Sequence, residues 1–111
     1  MVQPIGWVLY RFRLDVDIID FINKTYKSRG VEKSDLIDGM IDWFSMQRSS
    51  GDVSHRYFSS ALNAPYTTIW LRPETAKKIV NLAELDKHNK NRVIYTAIIR
   101  YLEHDDQMMH L

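Results

Sequence analysis

The sequence contains no cysteine, which removes disulfides, thiol catalysis and cysteine-based zinc sites together and fits a reducing interior. No stretch approaches the roughly 20 apolar residues that a membrane span requires. The first residues also lack the charged, apolar and small-residue order of a secretion signal. A soluble, cytoplasmic protein without a membrane partner is therefore expected. There is no glycine-rich phosphate loop. His55, His88, His104 and His110 share no ligand spacing on one helix, so neither a metal site nor a cofactor is expected. Ser49-Ser50 has no positioned base, and Asp38 with Asp42 reads as a solvated helix face rather than an acid–base couple. No enzyme and no small-molecule substrate follow from these residues.

Charge of one sign is not in excess, since the formal net charge is +1. Its distribution is uneven, however. Residues 1–47 carry six basic and seven acidic side chains, whereas residues 66–104 carry seven basic and four acidic ones. The second half is therefore cationic, with Arg48 and Arg56 adding to it from the connector. This permits a polyanionic partner without requiring one.

What the chain does have is an internal repeat. Phe12, Leu14, Ile19, Ile22, Tyr26, Leu36, Ile37, Met40, Ile41 and Phe44 fall, at a constant offset of 57 residues, on Ile69, Leu71, Ala76, Ile79, Ala83, Val93, Ile94, Ala97, Ile98 and Tyr101. Apolar meets apolar at every position, with no gap. A repeat of this kind bears on the whole fold. At 111 residues the chain is expected to be one domain, because two separate cores of about 40 residues each would bury too little surface. The two copies are thus expected to share a core.

Each copy reads as a short strand followed by two helices. From Leu9 to Leu14, Tyr10, Phe12 and Leu14 alternate with Leu9, Arg11 and Arg13, and in Tyr66–Leu71 Thr67, Ile69 and Leu71 alternate with Tyr66, Thr68 and Trp70. The stripes Ile18-Ile19-Ile22-Tyr26 and Ala76-Ile79-Val80-Ala83 step by three and four, as a first helix would. Asp15 and Asp17 mark one helix start and Pro73-Glu74 the other. Gly30 suits a left-handed helix end, and Asn89 is the expected counterpart in the second copy. Leu36-Ile37-Met40-Ile41-Phe44 and Val93-Ile94-Ala97-Ile98-Tyr101 predict the second helices, with Ser34 and Asn91 or their neighbours as caps. The organisation is residues 7–47 as copy one, 48–65 as connector, 66–104 as copy two and 105–111 as a frayed tail. Within the connector, residues 55–62 are either a short helix or irregular. Its 18 residues extend up to about 60 Å, which allows pairing of the copies within one chain as well as between chains.

A lone short strand with an open edge needs a partner. Pairing with its copy gives a ribbon with one face on four helices and the other exposed. With these pieces the sequence resembles the ribbon-helix-helix DNA-binding proteins of the MetJ and Arc type. The resemblance rests on Leu9-Tyr10-Arg11-Phe12-Arg13-Leu14, Gly30 and Lys33-Ser34-Asp35-Leu36-Ile37 in the first copy. In the second it rests on Tyr66-Thr67-Thr68-Ile69-Trp70-Leu71, Arg72-Pro73-Glu74 and Lys90-Asn91-Arg92-Val93-Ile94. The tandem organisation is similar to that of small regulators from filamentous archaeal viruses.

The resemblance implies a mainly α fold with short β-strands, in which two ribbon-helix-helix units (β-α-α twice) share one core around an antiparallel two-stranded ribbon. It implies a sequence-specific regulator, a viral repressor by analogy, that inserts the ribbon into the major groove of double-stranded DNA. Leu9, Arg11, Arg13, Tyr66, Thr68 and Trp70 then face the bases, with arginine suited to guanine. Tyr66 and Trp70 depart from the small polar residues usual there, and Trp70 fits sugars or a neighbouring protein better than a groove. Lys33, Ser34, Lys90 and Asn91 match the phosphate-holding position at the start of the second helix. Self-association is expected. The alternative is a protein-interaction module, an antitoxin or assembly adaptor, that uses the exposed aromatics of the ribbon. A second alternative is a structural, self-assembling helical protein in which Trp43, Phe44 and Met46 join chains, although Phe44 also falls on the core stripe.

Overall fold

Two strands, β1 (Val8–Arg13) and β2 (Tyr66–Leu71), pair antiparallel within the chain in the computed structural model, which describes residues 6–51 and 56–109. The register sets Tyr10 opposite Ile69 and Phe12 opposite Thr67 on one face, and Leu9 opposite Trp70, Arg11 opposite Thr68 and Arg13 opposite Tyr66 on the other. The period of two decides which face turns inward. Tyr10, Phe12, Ile69 and Leu71 are buried, while Leu9, Arg11, Tyr66 and Thr68 are exposed.

Four helices among the described residues complete the fold: α1 (Val16–Arg29), α2 (Lys33–Ser50), α3 (Pro73–Asp86) and α4 (Lys90–Met109). The starts of α1 and α3, and those of α2 and α4, differ by the 57 residues of the sequence repeat. α2 packs on α4 and on α3, and both strands lie against the second helices. One apolar cluster holds the residues of both copies together, with Phe12, Ile22, Ile41 and Phe44 beside Leu71, Ile79, Val93 and Ile98. Each such aliphatic or aromatic side chain contributes ~1.5–3 kcal/mol when withdrawn from water. The protein is thus mainly helical with a two-stranded antiparallel sheet, and its core is common to both copies.

Local chemistry sets the helix ends. Gly30 adopts φ 68° and closes α1, with its own N–H on the Lys27 carbonyl. In the second copy the left-handed residue is Lys87, at φ 58°, not Asn89. Asn89 instead caps α4, its Oδ1 accepting the Arg92 N–H at 2.8 Å. That role excludes the helix-ending one and also displaces Asn91 as the cap. Ser34 lies inside α2, whose cap is Glu32, without a side-chain hydrogen bond.

Two further expectations are corrected and two open alternatives are narrowed. Residues 56–61 form no helix; His55 lies outside the described residues. Phe58 is held by Thr96, whose Oγ1 accepts the Phe58 N–H at 2.9 Å and faces its carbonyl at 3.3 Å, so its backbone bonds across to α4 rather than along itself. The region after His104 is not frayed through its length, since α4 continues to Met109. His104 lies 4.9 Å from the Trp43 ring, which anchors that turn on α2. Finally, Asp38 is not part of a solvated face: it is 2% exposed, with Arg72 Nε 3.1 Å from its carboxylate. Asp42, partly exposed, faces Lys78 at 2.8 Å. Phe44 is fully buried in the core, where the repeat places it, and so does not join chains as the self-assembly alternative requires.

Candidate nucleic-acid interface

The outward face of the sheet carries the six residues singled out for base contact, in three cross-strand pairs. At its centre are Arg11 and Thr68, both exposed. Toward one end, Tyr66 is 49% exposed and the guanidinium carbons of Arg11 and Arg13 lie 4.0 and 4.2 Å from its ring centre. This is cation–π distance, and it holds both long side chains over one rigid surface. Arg13 is further fixed by a 2.7 Å hydrogen bond from Nη1 to the Ala64 carbonyl. Arg11 makes no hydrogen bond or ion pair through its side chain among the described residues. At the other end Leu9 is 48% exposed beside the half-buried Trp70.

The four residues proposed for phosphate contact divide. Lys90 and Asn91 are exposed at the start of α4, where the first amides and the helix dipole favour an anion. Ser34 is half-buried in α2. Lys33 turns toward the sheet, its Nζ 3.4 Å from Thr67 Oγ1, and burial lowers its pKa.

Arg92 was not singled out by sequence, although it completes the basic run Lys90-Asn91-Arg92. It lines, with Arg13, Tyr66, Asn91 and Tyr95, a depression of about 230 Å³ between the sheet end, the connector and α4. The cations therefore sort by environment. Arg48, Arg72, Lys78 and Arg100 are bonded to carboxylates, whereas Arg11, Arg13 and Arg92 make no ion pair among the described residues. The Arg48 pair is buried: Nε donates to Asp86 Oδ2 at 2.9 Å, and the Tyr57 hydroxyl donates to the same carboxylate. That cluster ties the connector to the helices.

Comparison with known proteins returns no match to a family model, a curated protein or a solved structure. No helix among the described residues is long and apolar enough to cross a membrane.

Proposed function

We propose that the chain is a sequence-specific, double-stranded DNA-binding transcriptional regulator built from two tandem ribbon-helix-helix units, whose ribbon enters the major groove. The carrying observation is the exposed two-stranded face with Arg11 and Thr68 at its centre and Arg13 beside them. Paired strands lie about 4.8 Å apart, and a groove about 12 Å wide admits such a ribbon. Unpaired guanidinium groups on that face suit guanine O6 and N7, and Thr68 suits a base edge or a thymine methyl. Lys90, Asn91 and the α4 amides suit a phosphate, which positions the ribbon without reading sequence.

Exposed Leu9 and Tyr66, at 48% and 49%, favour a second reading as a protein-interaction module that docks a partner on the same face. A gel shift against random duplex across a salt series separates the two. A DNA-binding regulator loses affinity steeply as salt rises, by counterion release. Failure to bind any duplex at low salt rejects DNA binding and leaves the adaptor.

A further inference from the structure

The two ends of the ribbon face are chemically unlike. Arg11 lies opposite Thr68, its own counterpart at the 57-residue offset. Around this centre, Arg13 with Tyr66 and Trp70 with Leu9 occupy counterpart positions. One end is therefore guanidinium over phenol, and the other is indole beside an aliphatic side chain. The cationic end continues into the depression shared with Asn91 and Arg92. At the opposite end the counterpart of Arg92 is Asp35, and it is bonded to Arg72.

Contacts between the halves keep these unlike ends in one ribbon. Arg72 faces Asp35 and Asp38, while its counterpart Asp15 accepts a hydrogen bond from Tyr95, the counterpart of Asp38. Two first halves from separate chains would set Asp15 against Asp35 and Asp38. Two second halves would set Arg72 against Arg92 and Tyr95. Each self-pairing gathers like charge or loses its partner, so the unlike pairing is selected.

We propose that the ribbon reads a duplex in one direction, with guanine at the Arg11–Arg13–Tyr66 end and a thymine-bearing step at the Leu9–Trp70 end, so that one chain occupies a site without two-fold symmetry. This rests on the DNA-binding function proposed above and names its ligand. Guanine offers two acceptors to an arginine fork, and thymine is the base that offers a methyl group in the major groove, here to exposed Leu9, which half-buried Trp70 backs from the facing strand without itself entering the groove. The Tyr66 ring already restrains both arginines, which lowers the ordering cost on binding. Leu9 and Arg13 are about 13 Å apart along an extended strand, a span of about four base pairs.

The test is selection of bound sequences from a random duplex pool by wild type, Arg11→Ala, Trp70→Ala and Leu9→Ala. The expected wild-type motif is non-palindromic, with guanine and thymine preferences about four base pairs apart. Arg11→Ala should relax the guanine preference about tenfold and keep the thymine one. Trp70→Ala or Leu9→Ala should do the reverse, and exposed Leu9 supplies the variant if Trp70→Ala does not fold. A palindromic motif, or both classes of variant relaxing the same base pairs, overturns directional reading while leaving DNA binding intact. A pool with no enriched sequence overturns sequence-specific DNA binding itself.

Discussion

The Tyr95 hydroxyl donates a 2.7 Å hydrogen bond to the Asp15 carboxylate, and the counterparts of these two residues, Asp38 and Arg72, also meet, at 3.1 Å. One contact of the fold is thus built twice with different chemistry. Exchanging the charges should rewire which halves pair. In the double variant Asp15→Arg, Arg72→Asp, pairing within the chain sets an arginine near Tyr95 and an aspartate against Asp35 and Asp38. Pairing between chains becomes complementary: first halves gain Arg–Asp contacts, and second halves set the new aspartate against Arg92 and Tyr95. The expected outcome is a mass by light scattering at least twice that of wild type under the same conditions. An unchanged mass with retained helicity would show that charge does not select the pairing.

Arg72→Ala should destabilise the protein by about 2 kcal/mol at neutral pH, below the usual cost of breaking a buried pair because Arg72 is itself partly exposed. It leaves Asp38 buried with Asp35 and Asp42 nearby. Burial already raises the Asp38 pKa, opposed by the neighbouring Thr75 hydroxyl and by Arg72. A carboxyl with a raised folded pKa makes stability fall as pH climbs from the unfolded carboxyl value toward the folded one. The loss in Arg72→Ala should therefore be largest at pH 7 and shrink as pH falls toward about 4. Adding Asp38→Asn should recover much of it at pH 7. Urea unfolding at both pH values measures this.

Much of this architecture was legible in the residues. Period-two alternation in two short segments named both faces of the sheet, because one face meets a core and the other does not. The repeat named all four helices, because helix periodicity survives where Ile19 is replaced by Ala76 or Phe44 by Tyr101, although the caps of α2 and α4 lie at Glu32 and Asn89, ahead of Ser34 and Asn91. Partners distant in sequence were not legible. A carboxylate at the Asp38 position looks solvated until Arg72 arrives from the other half to cover it. Lys33 looks like a surface lysine until Thr67 is placed beside it. Arg13 reads as an unengaged cation until the connector brings up the Ala64 carbonyl. Each depends on which segments meet in space, and no local pattern encodes that.

Alkaline pH should unfold the protein through its buried tyrosines, Tyr10, Tyr57 and Tyr95, whose pKa values burial raises. Burial, and then the hydrogen bond to Asp15, pushes Tyr95 up to about 12. Burial and the bond to Asp86 raise Tyr57 as well. A raised folded pKa means that the unfolded chain releases these protons first, so stability is complete below the unfolded tyrosine value of about 10 and declines above it. Tyr95→Phe should lose a hydrogen bond at pH 7, at a cost of about 1 kcal/mol, and show a shallower decline above pH 10. Thermal unfolding between pH 8 and 11.5 checks both. An equally steep decline in Tyr95→Phe would remove Tyr95 as a cause.

Lys87→Gly should stabilise the fold. Lys87 ends α3 at φ 58° and ψ 44°, a conformation in which its Cβ crowds the backbone at a cost of about 1 kcal/mol, which glycine avoids. Gly30 fills the corresponding role at the end of α1 with φ 68°. The expected gain is about 0.5–1 kcal/mol in urea unfolding, reduced by the greater freedom of glycine in the unfolded chain. Destabilisation would mean that the Lys87 side chain makes a contact outweighing its backbone strain.

Lysines at counterpart positions should differ in their effect on DNA binding. Lys90 is exposed at the start of α4, whereas Lys33 is half-buried with its amine on Thr67 and its pKa lowered by burial. A phosphate-facing lysine releases about one counterion on binding, so Lys90→Ala should weaken all duplexes alike and reduce the slope of log K against log salt by about one. Lys33→Ala should leave that slope nearly unchanged, because its charge is turned toward the sheet. Filter binding of both variants to one duplex at several salt concentrations measures the slopes. Equal slope changes would place both amines at phosphates and require Lys33 to leave Thr67 on binding, whereas no change in either would move the phosphate contacts away from the starts of the second helices.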